Sequence, residues 1–156
     1  MPQLDLNNLQ PPFSQDHRGL TDVEFETLKT KALEARNLSY SPYSNFKVGC
    51  SILLPDNTFI KGANVENASY GACICAERTT ITHAVMLGHR SFKALAVSTE
   101  LESIASPCGI CRQVIREFAD EKLTLPIFMF NKDGSKFVKM TLDDLLPLSF
   151  GPEQLQ

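Results

Sequence analysis

Stretches with helical and strand periodicity alternate along this chain in the order α-β-β-α-β-α-β-β-α, which predicts an α/β fold with one five-stranded sheet between helical layers. Two further observations bound that fold. The 156 residues, 43% of them hydrophobic, suffice for one compact core. No internal repeat or low-complexity tract divides the chain, so residues 21–156 read as a single domain.

Residues 1–20 are polar, with Pro11-Pro12 and Gly19, and read as an N-terminal arm, either extended or disordered. Thr21 with Glu24 makes a capping box, and a helix follows to about Leu38. Val23, Leu28, Ala32 and Ala35 form its expected apolar face. After a loop over residues 41–45, Val48–Leu54 is a strand, Pro55-Asp56-Asn57 a turn and Thr58–Val65 the return strand. A helix is expected from near Ile74 to Leu87, closed by Gly88. Phe92–Ser98 is the third strand and Gly109–Asp120 the next helix. Pro126–Phe130 and Lys136–Met140 are strands around an Asp133-Gly134 turn, and Thr141 caps a short last helix.

Net charge is −3 and the Lys and Arg residues are scattered, so a nucleic-acid partner is not expected and a small neutral substrate is. No apolar run is long enough to span a bilayer. The first seventeen residues hold no Lys or Arg, which argues against a secretory signal or an Arg-rich transit peptide. Five cysteines, an odd number, then point to reduced thiols in the cytoplasm or nucleus.

Three of those cysteines fall in two motifs. Pro107-Cys108-Gly109-Ile110-Cys111 is a C-x-x-C pair, and Cys75-Ala76-Glu77-Arg78 adds a third thiol with a carboxylate two residues on. Both motifs open expected helices, whose N-terminal dipoles favour thiolates, the form that binds zinc. Three protein ligands leave a fourth tetrahedral position for water, as at catalytic zinc sites. Glu77 is placed to face that position without coordinating, and to move protons. A closed four-cysteine site using Cys73 or Cys50, and a redox dithiol, remain alternative readings of the same residues. His17, His83 and His89 have no ligand spacing.

At these residues the chain resembles the cytidine deaminase family, whose signature H-x-E…P-C-x-x-C has a three-cysteine variant. Three other segments carry the resemblance: Tyr40–Phe46, Asn64-Val65-Glu66-Asn67-Ala68, and Ser149-Phe150-Gly151-Pro152. The resemblance implies a three-layer α/β/α sandwich with a mixed five-stranded sheet. It also implies zinc-dependent hydrolytic deamination of cytidine and 2′-deoxycytidine in cytoplasmic pyrimidine salvage, with one zinc per chain and a homotetramer. Carried over by residue, Asn64 and Glu66 bind ribose hydroxyls, chiefly the 3′, and Phe46 packs on the base. Glu77 contacts N3, the Ala76 N–H meets the base carbonyl, and Pro107 lies near the departing amine. Tyr70 and Phe150 reach into a neighbouring subunit's site. Cys73, where a small residue is usual, and Lys47 depart from the pattern.

Three thiolates on Zn²⁺ leave a net negative centre, which acidifies water less well. Two helix N-termini and Arg78 are the available counterweights, and Arg78 is expected to hydrogen-bond a ligand thiolate. Competing readings are a deaminase of RNA, DNA or a nucleoside-like antibiotic, and a non-catalytic zinc-stabilised module.

Overall fold

The computed structural model describes residues 4–155. Thr21 starts helix α1 (Asp22–Ala35): its hydroxyl accepts the Glu24 N–H at 3.2 Å, and the Glu24 carboxylate accepts the Thr21 N–H at 2.8 Å. Such a cap contributes about 1 kcal/mol. Leu28, Ala32 and Ala35 are buried as expected, but Val23 is 76% exposed and Phe25 takes its place. Positions 25, 28, 32 and 35 follow the helical stripe, whereas position 23 lies on the opposite flank. The α-helix also stops short of Leu38, because Arg36–Leu38 tighten into a 3₁₀ turn.

Strands β1 (Val48–Leu53) and β2 (Phe59–Ala63) form the expected hairpin. The Asp56 carboxylate accepts the N–H and hydroxyl of Thr58, and Asn57 takes φ +65°. Leu54 donates to the Thr58 carbonyl at 2.9 Å, so the turn claims one residue from each expected strand. At its other end β2 stops before Val65, which leaves the ladder to bridge Tyr40 and Ile74.

That bridge corrects the start of the next helix. Val65 and Ile74 exchange both N–H···O bonds at 2.9 Å, which holds Ile74 extended. Helix α2 (Ala76–Met86) therefore begins two residues later than expected, with Cys75 as its N-cap, and Gly88 turns out of it at φ +94°. Strand β3 (Ala94–Thr99) follows, then helix α3 (Gly109–Glu117), which ends before Asp120 as Phe118 leaves helical geometry. Strand β4 (Pro126–Phe130) coincides with its expected span. Strand β5 (Phe137–Thr141) starts one residue late because Asn131 and Lys136 pair across the turn. Thr141 then caps helix α4 (Leu142–Leu145) through Asp144.

The five strands form one sheet in the order β2-β1-β3-β4-β5, parallel only between β3 and β4. On one face α1 buries Phe25, Leu28 and Ala32 against Leu53, Ala96, Phe128 and Phe130. On the other, Ile81 and Ala84 of α2, Ile115 of α3 and Leu142 of α4 cover Cys50, Ile52, Val97, Ile127 and Met129. The architecture is the expected α/β/α sandwich with a mixed sheet. α1 crosses β1 at Gly49, where a Cβ would lie 2.1 Å from the Ala32 carbonyl oxygen, an approach only glycine admits.

The segment before Thr21 lies along β5. Ser14 and Lys139 exchange backbone hydrogen bonds at 3.2 and 2.8 Å, and Leu6, Leu9 and Phe13 pack on the core. Asp16 accepts from the Lys139 ammonium at 2.6 Å and from Arg18. Residues 1–3 of the expected arm lie outside the described residues. Among the described residues no helix is long and apolar enough to cross a membrane.

The strand directions fix where the helices that follow them begin. β2 and β3 are each antiparallel to β1, so they point the same way. β3 and β4 are parallel as well. The helices that leave β2 and β3 therefore both start at the same end of the sheet, where β1 begins.

Candidate active site

At that end, Cys75 caps α2 (φ −68°, ψ 156°) and Cys108 caps α3 (φ −68°, ψ 165°). Neither thiol bonds back to its own helix, so both sulfurs are free to point away from it. One turn into α3, Cys111 is fully buried. The three Sγ atoms lie within 4.8 Å of one another, with Cys75 and Cys108 3.8 Å apart. Tetrahedral zinc with Zn–S bonds of about 2.3 Å needs sulfurs about 3.8 Å apart. Donor number, donor softness and spacing thus all fit a zinc site with one protein-free position. Cys73 stands outside the group: its sulfur accepts the Asn67 N–H at 3.3 Å. Cys50 is buried in the sheet. Neither joins the cluster, which leaves a three-cysteine set.

A cavity of about 380 Å³ opens beside the sulfurs, within the size range of small-molecule pockets. Cys75, Ala76, Glu77 and Cys108 form its floor, and Val48, Val97 and Thr99 come from the sheet. Phe46, Asn64, Glu66 and Tyr70 line it from loops. Pro107 is buried beside it, its carbonyl accepting from Arg112 Nε at 2.8 Å, and does not line it. Phe150 is 58% exposed and also lies outside the chain's own cavity. Its segment is tied to α3: Gln113 donates to the Phe150 carbonyl at 3.0 Å, and Arg116 donates to the Ser149 hydroxyl at 2.9 Å and to Glu153. Gly151 lies against the Arg116 guanidinium so closely that a Cβ there would fall 2.2 Å from Cζ.

Glu77 is only 4% exposed. Burial raises its carboxyl to about 7, opposed by its own backbone N–H and reinforced by the nearby Cys75 sulfur. A carboxyl at that value can both take and give a proton near neutral pH. The Cys75 thiol moves down to about 5, chiefly through the hydrogen bond from Cys111 and, against burial, through Arg78 and Cys108. Cys111 moves up, because it donates that bond and is buried. Arg78 Nη2 lies 3.5 Å from the Cys75 sulfur and 3.3 Å from the Cys73 carbonyl oxygen.

The loop wall is a hydrogen-bonded network. The Asn64 Oδ1 accepts from the Ser39 hydroxyl at 2.6 Å and the Val48 N–H at 2.9 Å, while its Nδ2 donates to the Phe46 carbonyl at 2.9 Å. One N–H of Asn64 remains. The Glu66 Oε2 accepts the N–H groups of Tyr43 and Ser44 at 2.9 and 3.2 Å, and Oε1 accepts the Ser44 hydroxyl. About one acceptor position of the carboxylate remains, on Oε1. The Ser44 bond, ahead of the two backbone donors, holds the Glu66 carboxyl below its usual range, so it is ionised. Ser44 was not singled out from the sequence. Its place two residues before Phe46 is the available signal, since a serine there can fold its hydroxyl back onto the main chain. No Lys, Arg or His lines the cavity among the described residues.

A family profile described as the cytidine and deoxycytidylate deaminase zinc-binding region matches residues 23–126. The chain is 43% identical over 133 residues to the cytidine deaminase of Sporosarcina psychrophila, covering 85% of this chain and 96% of that one. It is 40% identical to the cytidine deaminase of Halalkalibacterium halodurans, covering 85% and 98%. Among solved structures it is similar to the cytidine deaminase of Burkholderia pseudomallei, with a TM-score of 0.76 and 41% identity over 84% of this chain and all of that one.

Proposed function

Because the chain belongs to the cytidine and deoxycytidylate deaminase zinc-binding family, we propose that it hydrolyses cytidine and 2′-deoxycytidine to uridine and 2′-deoxyuridine with release of ammonia. The observation that carries this reading is a cluster of three cysteine sulfurs, two of them on the floor of the pocket beside the buried Glu77. Cys75, Cys108 and Cys111 would hold one zinc per chain. When bound, zinc acidifies water and so supplies a nucleophile near neutral pH.

Glu77 takes a proton from the attacking water and delivers it to N3 of the pyrimidine. The water oxygen bonds to C4. Glu77 then passes the second proton to the exocyclic nitrogen, the C4–N bond breaks and ammonia leaves. The Ala76 N–H, unpaired in the first turn of α2, would receive the base carbonyl. Phe46 would pack on the base, and Pro107 would bound the region of the departing amine. Arg78 would draw charge from the Cys75 sulfur.

Two features support a free nucleoside as substrate. Asn64 offers one N–H and Glu66 one acceptor position, a pair suited to a single hydroxyl. Assigned to the 3′-hydroxyl, that pair would serve cytidine and 2′-deoxycytidine alike. A cavity with no cationic side chain among the described residues, lined by the ionised Glu66, disfavours a phosphate, and so both nucleotides and polynucleotides.

The exposed Phe150, outside the chain's own cavity, supports a pocket completed between subunits of a homotetramer, and Tyr70, which lines that cavity, is exposed as well. Five free cysteines support a reducing compartment, and pyrimidine salvage in the cytoplasm fits the substrate. The test is ammonia release from cytidine, 2′-deoxycytidine and 2′-deoxycytidine 5′-phosphate by protein of measured zinc content. Turnover of both nucleosides with little of the phosphate is expected. Preference for the phosphate, or no ammonia from any of the three, overturns the reading.

A further inference from the structure

The loop that carries Phe46 has little burial to hold it. Residues 42–47, from Pro42 to Lys47, are all exposed, and Asn45 stands at φ +55°, a region that costs any residue with a side chain. Hydrogen bonds must fix its shape, and three of them meet at the Glu66 carboxylate. The Ser44 hydroxyl donates to Glu66 Oε1 and accepts the Phe46 N–H at 3.0 Å. The Ser44 N–H donates to the other oxygen of the same carboxylate at 3.2 Å, beside that of Tyr43 at 2.9 Å. Phe46 is in turn held at its carbonyl by Asn64 at 2.9 Å.

We propose that Ser44 is a positioning residue for the substrate: through one hydroxyl it sets both the rotamer of Glu66 and the main chain of Phe46, coupling the ribose contact to the base contact. This rests on the reading of Glu66 as the acceptor for a ribose hydroxyl. The geometry gives the coupling a direction. Without the Ser44 hydroxyl, Oε1 loses its only donor among the described residues while Oε2 keeps two. The carboxylate can then swing about Oε2, and the acceptor position offered to the sugar is no longer fixed. Charge-assisted bonds of this kind are among the stronger ones, and their loss corresponds to about a ten- to hundredfold change in an equilibrium or rate ratio.

The experiment is a comparison of kcat/KM for cytidine and for 3′-deoxycytidine on the zinc-loaded full chain. Their ratio reports recognition of the 3′-hydroxyl alone. The wild-type ratio is expected at about a hundred or more. Ser44→Ala should lower that ratio about tenfold or more, mainly by raising KM for cytidine, with bound zinc retained. Ser44→Thr, which keeps the hydroxyl, should restore it. Glu66→Gln should lower the ratio at least as far.

If Ser44→Ala leaves the ratio within about twofold while Glu66→Gln lowers it, Ser44 only packs the loop and the proposal is overturned. If Glu66→Gln itself leaves the ratio unmoved, the ribose reading of Glu66 is what fails. Should Ser44→Ala not fold, Ser44→Cys, a near-isostere with a weak donor, carries the same expectation and the same overturning result.

Discussion

The floor and the loop wall of the cavity are built in opposite ways. The floor comes from two helix starts whose chemistry is local: Cys75 with Glu77, and Cys108 with Cys111, each within about one turn. Parallel progress of β2, β3 and β4 brings those two starts to one end of the sheet. The wall comes from loops around residues 39–46 and 64–70, joined by side-chain hydrogen bonds between residues 16 to 25 positions apart. On the floor Ala76 and Glu77 are buried and Cys108 reaches the surface, whereas residues 42–47 of the wall are all exposed. A reacting centre tolerates little displacement, so it sits on rigid elements, while discrimination between ligands is left to an adjustable loop network.

The comparison can be broken from either side. The largest effect is expected for Cys111→Ser: zinc lost by elemental analysis, and ammonia release reduced about 10⁴-fold or more. Zinc at one per chain in this variant would mean that the buried thiol is not part of the set. Next comes Glu77→Ala. Turnover should fall about 10²- to 10⁴-fold while zinc stays near one per chain, as loss of a proton carrier implies. Metal loss instead would make Glu77 a ligand and collapse the distinction between holding the ion and moving the proton.

Phe150→Ala should act on binding alone, raising KM about tenfold with zinc content and melting temperature little changed. An unchanged KM would remove Phe150 from the pocket and leave the wall to the loops of one chain. The smallest effect is expected away from both regions, at Asp16. Its carboxyl is held well below the usual range, first by Arg18 and then by Lys139. The folded state therefore binds that proton later than the unfolded chain. The resulting stabilisation is complete above about pH 4 and is lost as pH falls further. Asp16→Asn should cost about 1 kcal/mol or less at neutral pH, given partial exposure, and should make the acid decline of Tm shallower. An unaltered acid slope would show that the pair contributes nothing to stability.

The same division governs what the sequence made legible. Cys75-x-Glu77 and Cys108-x-x-Cys111 are readable because helix geometry converts short spacing into position. The capping boxes at Thr21 and Thr141 are readable for the same reason. What escaped is non-local. Ile74 carries an apolar side chain next to a helix, and only its pairing with Val65, nine residues back, keeps it extended. Val23 and Phe25 are equally apolar, and the aromatic cluster of Phe128, Phe130 and Phe137 decides which of them turns inward. Ser44 looks like any loop serine until Glu66 is folded against it. Asn64 read as a sugar contact, yet most of its hydrogen-bonding capacity is spent on Ser39, Phe46 and Val48.

The two capping cysteines are 33 residues apart in sequence. An ion shared between them closes a loop that contains all of α2 and β3, so it acts as a reversible cross-link on the chain as well as a reagent. By mass action, whatever binds only the folded form raises its resistance to unfolding with the logarithm of free concentration. Metal supply would then set how long each molecule survives as well as how fast it works, and scarcity would be registered first as protein turnover.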